Sequence, residues 1–250
     1  MESRSKIICI ASELKFYLNI IIESNYMKRN LIIDERIRKE EYECLKEFFN
    51  VQKLPLSKDV YDEISGHSDI FYCQLNNEVI CAPNSNIKNQ NFKKGYRKVE
   101  KEYPNDVLYN ACQIGKYIIG SKYTDKSIPV DIQVSQGYTK CSIVVTSEKS
   151  CITTDEWIAK KLILYGIDAL YMSENNINLL DRYSNISPIK GFIGGATLVF
   201  DNKLFLFGDV DNLSNKQKFM KHINKYNLEL VHFNGLDIFD YGGGVIYPKT

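Results

Sequence analysis

Apolar and polar positions in this chain alternate in short runs, and the runs come in pairs. Residues 66–73 and 79–83 flank the polar stretch Leu75-Asn76-Asn77-Glu78, which predicts two strands joined by a tight turn. The same shape recurs at 106–112 with 117–120, at 140–146 with 151–153, and at 195–200 with 204–208. After the third and fourth pairs the period changes from two to 3.6. Thr154 is placed to cap a helix with Asp155 and Glu156 in its first turn; its apolar face is Trp157, Ile158, Leu162 and Tyr165. Gly166 ends that helix before a strand at 167–172. Ser214 stands likewise ahead of Phe219, Met220, Ile223 and Tyr226, and Asn227 stops the helix before a strand at 228–233. After the first two pairs the helix signal is weak, and 84–98 reads equally as an irregular loop.

The repeating unit is thus strand–strand–helix–strand. Near the start, a strand at 30–34, an amphipathic helix at 35–49 (Ile37, Leu45, Phe48, Phe49) and a strand at 51–56 form a unit without its first strand. At 242–248, Gly242-Gly243-Gly244-Val245-Ile246-Tyr247-Pro248 reads as a first strand without the rest. Joining the two makes a fifth unit and removes the exposed sheet edges of an open array. The fold class expected is α/β: a five-bladed β/α propeller closed by its N- and C-terminal segments. Residues 29–250 would be a single domain and 1–28 an N-terminal extension with no assigned role. A three-layer α/β sandwich with incidental hairpins is the competing architecture.

Composition narrows the function. The 32 basic side chains face 31 acidic ones, a formal charge of +1, which argues against nucleic acid or an anionic membrane as the main partner. No run reaches the roughly 18 apolar residues of a membrane span, and the apolar stretch at 6–11 is too short for a secretory signal. Seven cysteines (Cys9, Cys44, Cys73, Cys81, Cys112, Cys141, Cys151) show no CxxC or zinc-type Cys/His spacing. They read mostly as small core hydrophobes in a reducing cytoplasm, with no metal and no cofactor expected.

Gly66-His67-Ser68-Asp69 opens the first hairpin. With five strand–strand–helix–strand units, it gives the chain a resemblance to the pentein superfamily, the guanidine-modifying enzyme fold of arginine and agmatine deiminases, amidinotransferases and dimethylarginine hydrolases. Those enzymes carry a Gly-His-x-Asp element on a hairpin. From about 61 to 248 the chain more closely resembles an uncharacterised bacterial family of that fold. The residues carrying this likeness are Gly66-His67-Ser68-Asp69, Tyr103-Pro104-Asn105-Asp106-Val107, Gln136-Gly137-Tyr138-Thr139-Lys140-Cys141-Ser142 and Gly191-Phe192-Ile193-Gly194-Gly195-Ala196. The resemblance implies a Cys nucleophile on a guanidinium carbon, a His acid–base and carboxylates gripping the guanidinium nitrogens. The chain departs from it at the C-terminus. A Gly-rich strand ending His-Cys is expected there, and Pro248 stands about where the Cys would fall.

On a regular strand His67 and Asp69 share one face and would enter an axial pocket; otherwise His67 is a loop histidine satisfied by a neighbouring carboxylate. Aligning the third hairpin on the first by Ile152 and Ile80 gives an offset of 72 residues, which makes Cys141 the counterpart of Asp69. Cys141 is then either the nucleophile or a buried inert thiol, and Lys140 faces away from it. Asn105 and Asp106 supply a gripping carboxylate or simply a turn. Gln136 and Tyr138 line the pocket, and Gly194 and Gly195, like Gly242–Gly244, mark backbone too crowded for side chains. The expected partner is a small polar or cationic ligand of guanidino or amidino type. The function is either its hydrolysis or transfer through His67, Asp69 and Cys141, or its binding by a catalytically inactive relative. A purely scaffolding role is a third, weaker reading.

Overall fold

The computed structural model describes residues 28–76 and 78–249. The stretch 1–27, with Cys9, and residues Asn77 and Thr250 lie outside the described residues. The four paired runs form antiparallel hairpins: β3 (Tyr72–Leu75) with β4 (Glu78–Cys81), β6 (Cys112–Ile114) with β7 (Tyr117–Ser121), β9 (Ile143–Ser147) with β10 (Ser150–Thr153), and β14 (Thr197–Phe200) with β15 (Lys203–Leu206). Gly115 and Asp201 turn two of these corners at φ of 55° and 53°, a left-handed conformation that Gly and Asp tolerate better than most residues. Each hairpin takes a third strand parallel to its second: β5 (Lys93–Lys94), β8 (Ile132–Val134), β11 (Asp168–Tyr171) and β16 (Glu229–Val231). In the same way β1 (Arg29–Asp34) lies between antiparallel β18 (Val245–Tyr247) and parallel β2 (Phe49–Leu54).

The five-bladed β/α propeller is not what forms. A sixth sheet, β12 (Ile177–Leu180) between β13 (Ile186–Lys190) and β17 (Ile238–Phe239), has no place in the five-unit scheme. The described residues make six small mixed sheets of three strands, and none closes on itself. Helices are few: α1 (Lys39–Phe48), a single turn α2 (Ser68–Phe71), α3 (Glu156–Ile163) and α4 (Lys216–Lys225). After the first two hairpins no helix forms, because those stretches are polar, rich in turn formers and without a 3.6 period.

Local chemistry sets the element ends. Asp155, not Thr154, caps α3, its carboxylate accepting from the Ile158 N–H at 2.9 Å. Ile158 and Leu162 are buried against β10 and β11, whereas Trp157, expected on the apolar face, is 70% exposed. Each fully buried aliphatic side chain stabilises by roughly 1.5–3 kcal/mol. On α4, Phe219 and Ile223 face inward as expected. His222, expected on the polar side, is buried and hydrogen-bonded through Nε2 to the Thr146 hydroxyl at 3.1 Å. Strands β3, β6, β9, β14 and β18 contribute Gln74, Gln113, Val144, Leu198 and Ile246 to the wall of one shared cavity of about 340 Å³.

Candidate functional site

The Gly-His-Ser-Asp element is not on a strand. His67 is extended (φ −69°, ψ 120°) and precedes the single turn α2, which holds Asp69. Strand alternation therefore does not explain why the two residues meet; the helical turn does. Gly66 is required here because a Cβ would sit 2.5 Å from the Asp34 carboxylate. Asp34 is itself buried and paired with Arg36 at 2.6 Å. Arg36 also donates to the carbonyls of Asp62, Glu63 and Leu180, so this ion pair anchors the element from below.

Cys141 likewise precedes its strand, β9, in a turn. Its thiol donates to Asp69 Oδ2 at 3.0 Å. The 72-residue offset that made Cys141 the counterpart of Asp69 does not hold in the first strands: Ile80 pairs with Cys73 and Ile152 with Val144, an offset of 71. Asn110 fixes this corner with both ends of its amide. Its Nδ2 donates to Cys141 Sγ (3.1 Å) and to the Asp69 carbonyl (3.2 Å), and its Oδ1 accepts from the Lys140 and Cys141 N–H groups (2.7 and 3.1 Å). The donor atoms of His67, Asp69 and Cys141 all lie within 4.8 Å of one another, and the three residues are 1%, 3% and 2% exposed.

Asp240, just after β17, completes the group. Its Oδ1 lies 3.7 Å from His67 Nδ1 and accepts from Gly242 N, while Oδ2 accepts from Phe192 N, both at 2.8 Å. The glycines expected to mark crowded backbone are crowded. A Cβ on Gly195 would fall 1.8 Å from Asp240 Oδ1, one on Gly194 would fall 2.4 Å from the Lys140 carbonyl, and one on Gly242 (φ +70°) would fall 2.4 Å from His67 Cβ.

Two cavities meet at this layer. One, of about 340 Å³, is floored by His67, Cys141 and Asp240 and walled by Tyr61, Tyr138 and Phe192, the last two rings stacked with centroids 6.1 Å apart. The other is the strand-lined cavity, reached by Asp69 and Lys140. Lys140 stands in a turn and not on a regular strand; its Nζ donates to the Gly194 carbonyl at 3.2 Å and its charge acts on the Asp69 and Asp240 carboxylates. The remaining expected binding residues are elsewhere. Tyr138 donates to Asp106 at 2.5 Å, which turns that carboxylate toward the phenol. Asn105 bonds Arg97 and Glu100, and Gln136 bonds Asp155 and the Tyr138 N–H; none of Asn105, Asp106 and Gln136 lines either cavity.

The electrostatics are those of a buried acidic pocket. Burial lifts the Asp69 carboxyl to about 6 against the pull of Lys140, Cys141 and Asn110. Burial, with Asp69 nearby, lifts Asp240 to about 7. The Cys141 thiol is pushed well above its ordinary value by burial and then by the two carboxylates. Burial and the Arg36 guanidinium hold His67 well below its ordinary value, so its ring is neutral at pH 7. Both of its nitrogens, and Asp69 Oδ1, are buried without a hydrogen-bond partner.

Of the expected site residues the structure brings His67, Asp69 and Cys141 together; Asp240 and Asn110, which join them, were not expected. An acid two residues before a glycine run was the available sign of Asp240, and nothing in a single sequence joins Asn110 to Cys141. Among the described residues, no helix is long and apolar enough to cross a membrane. Comparison with curated proteins and with solved structures finds no match. A family model does match residues 32–245, most of the chain, and the protein therefore belongs to that family, DUF6873, a family of unknown function.

Proposed function

We propose that the chain binds a small amidino or guanidino cation in the cavity above His67, Cys141 and Asp240, and hydrolyses it through Cys141. One observation carries the reading: a thiol, an imidazole and the Asp240 carboxylate converge at the floor of an aromatic-walled cavity, with the Asp69 carboxylate hydrogen-bonded to the thiol behind it. A planar cation satisfies buried carboxylates with paired N–H donors and stacks on aromatic faces. The resemblance to guanidine-modifying enzymes supplies the same ligand class from the Gly66–Asp69 element.

The chemistry is nucleophilic substitution at the amidine carbon. The Cys141 proton passes along its hydrogen bond to Asp69 as sulfur attacks. The C–N bond breaks, and that proton leaves with the departing nitrogen as ammonia. Water then attacks the carbon bonded to sulfur while His67 takes its proton. The S–C bond breaks, the proton held by His67 returns to sulfur, and the second water proton leaves to solvent as the C–OH becomes a carbonyl, so that the cation and water give the carbonyl product, ammonia and one proton.

A thermal-shift series of guanidino and amidino compounds tests this. A ligand at a hundredfold excess over its Kd stabilises by about 2.7 kcal/mol, a rise in Tm of several degrees. Asp240→Asn is expected to lose most of that shift. Cys141→Ser is expected to keep it and to release no ammonia. A second reading, a binding module without catalysis, draws on the buried, protonated thiol and on Pro248 at the usual nucleophile position. It predicts the shift with no ammonia from the wild type either. No shift with any such compound overturns both.

A further inference from the structure

We infer that His67, Asp69 and Cys141 form a binding site for one borderline-soft divalent metal ion of the Zn²⁺ class, open on its fourth side to the aromatic-walled cavity. The inference stands on geometry and on unmet hydrogen-bonding capacity, and it does not depend on the amidino reading.

Three donor atoms no more than 4.8 Å apart can all be reached from a point about 2.8 Å or less from each. Zinc bonds run about 2.0–2.3 Å, so side-chain movements of about half an ångström close the site. A planar amidinium is too large to occupy that point. It would sit above the trio in the cavity, whereas a single ion fits among the three donors.

The donors also need a guest. A buried imidazole with neither nitrogen hydrogen-bonded, beside a carboxylate with one bare oxygen, leaves several polar atoms uncompensated at one place. One cation answers the imidazole nitrogen, the carboxylate oxygen and the sulfur together. The mixed N, O and S set matches zinc and excludes the all-oxygen preference of Mg²⁺ and Ca²⁺. With thiolate and carboxylate bound, the ion's two charges are neutralised, as a dry site requires.

The surroundings supply what holds such ligands in place. Asn110 donates to the sulfur and orients Cys141 through both backbone N–H contacts. Asp240 stands 3.7 Å from His67 Nδ1, where a small rotation gives the carboxylate–histidine contact that commonly fixes a ligating ring. The ligands were hidden from spacing rules because they arise from 67, 69 and 141, two segments far apart in sequence. An ion in this position ties up the sulfur, so it also competes with any cation that Cys141 would attack.

Cobalt(II) is the probe. The full-length protein, stripped with a chelator, is titrated with Co²⁺ under reducing conditions. One equivalent is expected to give a thiolate-to-cobalt charge-transfer band in the near ultraviolet, bleached by one equivalent of Zn²⁺. Cys141→Ser is expected to abolish the band and His67→Ala to weaken binding at least tenfold, while Cys112→Ser, which alters a buried core thiol, leaves it intact. In parallel, Zn²⁺ should protect Cys141 of the wild type from alkylation, a readout that needs no variant to fold. Absence of the band in the wild type, or its persistence in Cys141→Ser, overturns the site. A guanidino thermal shift without a cobalt band would sink the metal site alone; a band without the shift would sink the amidino reading alone.

Discussion

Asn110 holds four contacts with one short side chain: the sulfur of Cys141, the carbonyl of Asp69 and two successive backbone N–H groups. Replacing it by Leu, similar in size and without polar atoms, strands those partners in a buried layer. The expected cost is about 2–4 kcal/mol, read from urea denaturation midpoints at constant m. Gly195→Ala should be at least as damaging, because its Cβ would land 1.8 Å from Asp240 Oδ1. Overpacking of this kind costs about 1–3 kcal/mol or more, and here it also displaces a carboxylate of the site. These residues mark what was legible. Cys141 was singled out as the counterpart of Asp69 in another hairpin, although the irregular β9–β10 pairing shifts the observed offset to 71 residues. Asn110 and Asp240 were not, because their significance lies in distances between segments that repeat nothing.

Among the elements, hairpins announced themselves through alternation and turn residues, and α1, α3 and α4 through their period. The sheet of β12, β13 and β17 did not. β12 pairs with a strand some sixty residues away, and β13 carries Pro188, which removes a ladder donor and disguises an edge strand. Cap assignment shows the same limit at finer grain. Thr154 and Asp155 are both good caps by type, and only the backbone path decides between them. Asp155→Ala is therefore expected to cost about 1 kcal/mol in thermal or urea unfolding. Thr154→Ala, whose hydroxyl makes no hydrogen bond, should change stability by less than about 0.5 kcal/mol. Equal effects at the two positions would contradict the cap seen here.

For the molecule as a whole, buried ionisable groups far from the site tie stability to pH. Burial, assisted by Lys225 and opposed by Asp168, holds His222 below the ordinary histidine value of 6.5. A histidine depressed on folding contributes stability that is complete above its unfolded value and is lost as pH falls from about 6.5 through its folded one. His222→Gln, which retains a partner for the Thr146 hydroxyl, should flatten the urea midpoint across that acid window relative to wild type. Asp125 adds a second, more acidic limb. Burial alone would raise its carboxyl, but hydrogen bonds from Ser127, Tyr96 and Arg97 outweigh it and keep it below the usual carboxylate range. Its contribution is present above its unfolded value and disappears as pH falls through the folded one, so Asp125→Asn should lower the midpoint at neutral pH and narrow the gap to wild type at low pH.

The convergence of His67, Asn110, Cys141 and Asp240 has a kinetic consequence as well. Hairpins close over a few residues and form on the microsecond scale, whereas this layer must close loops of 43, 31 and 99 residues between His67, Asn110, Cys141 and Asp240. The strands can therefore pair while the site is still open, and the site is assembled among the last events of folding. A partly folded chain would then hold its thiol apart from its carboxylates, and reactivity at Cys141 becomes a report on completed folding. Pulsed alkylation during refolding should show Cys141 losing its ordinary exposure later than Cys73, which sits within the first hairpin.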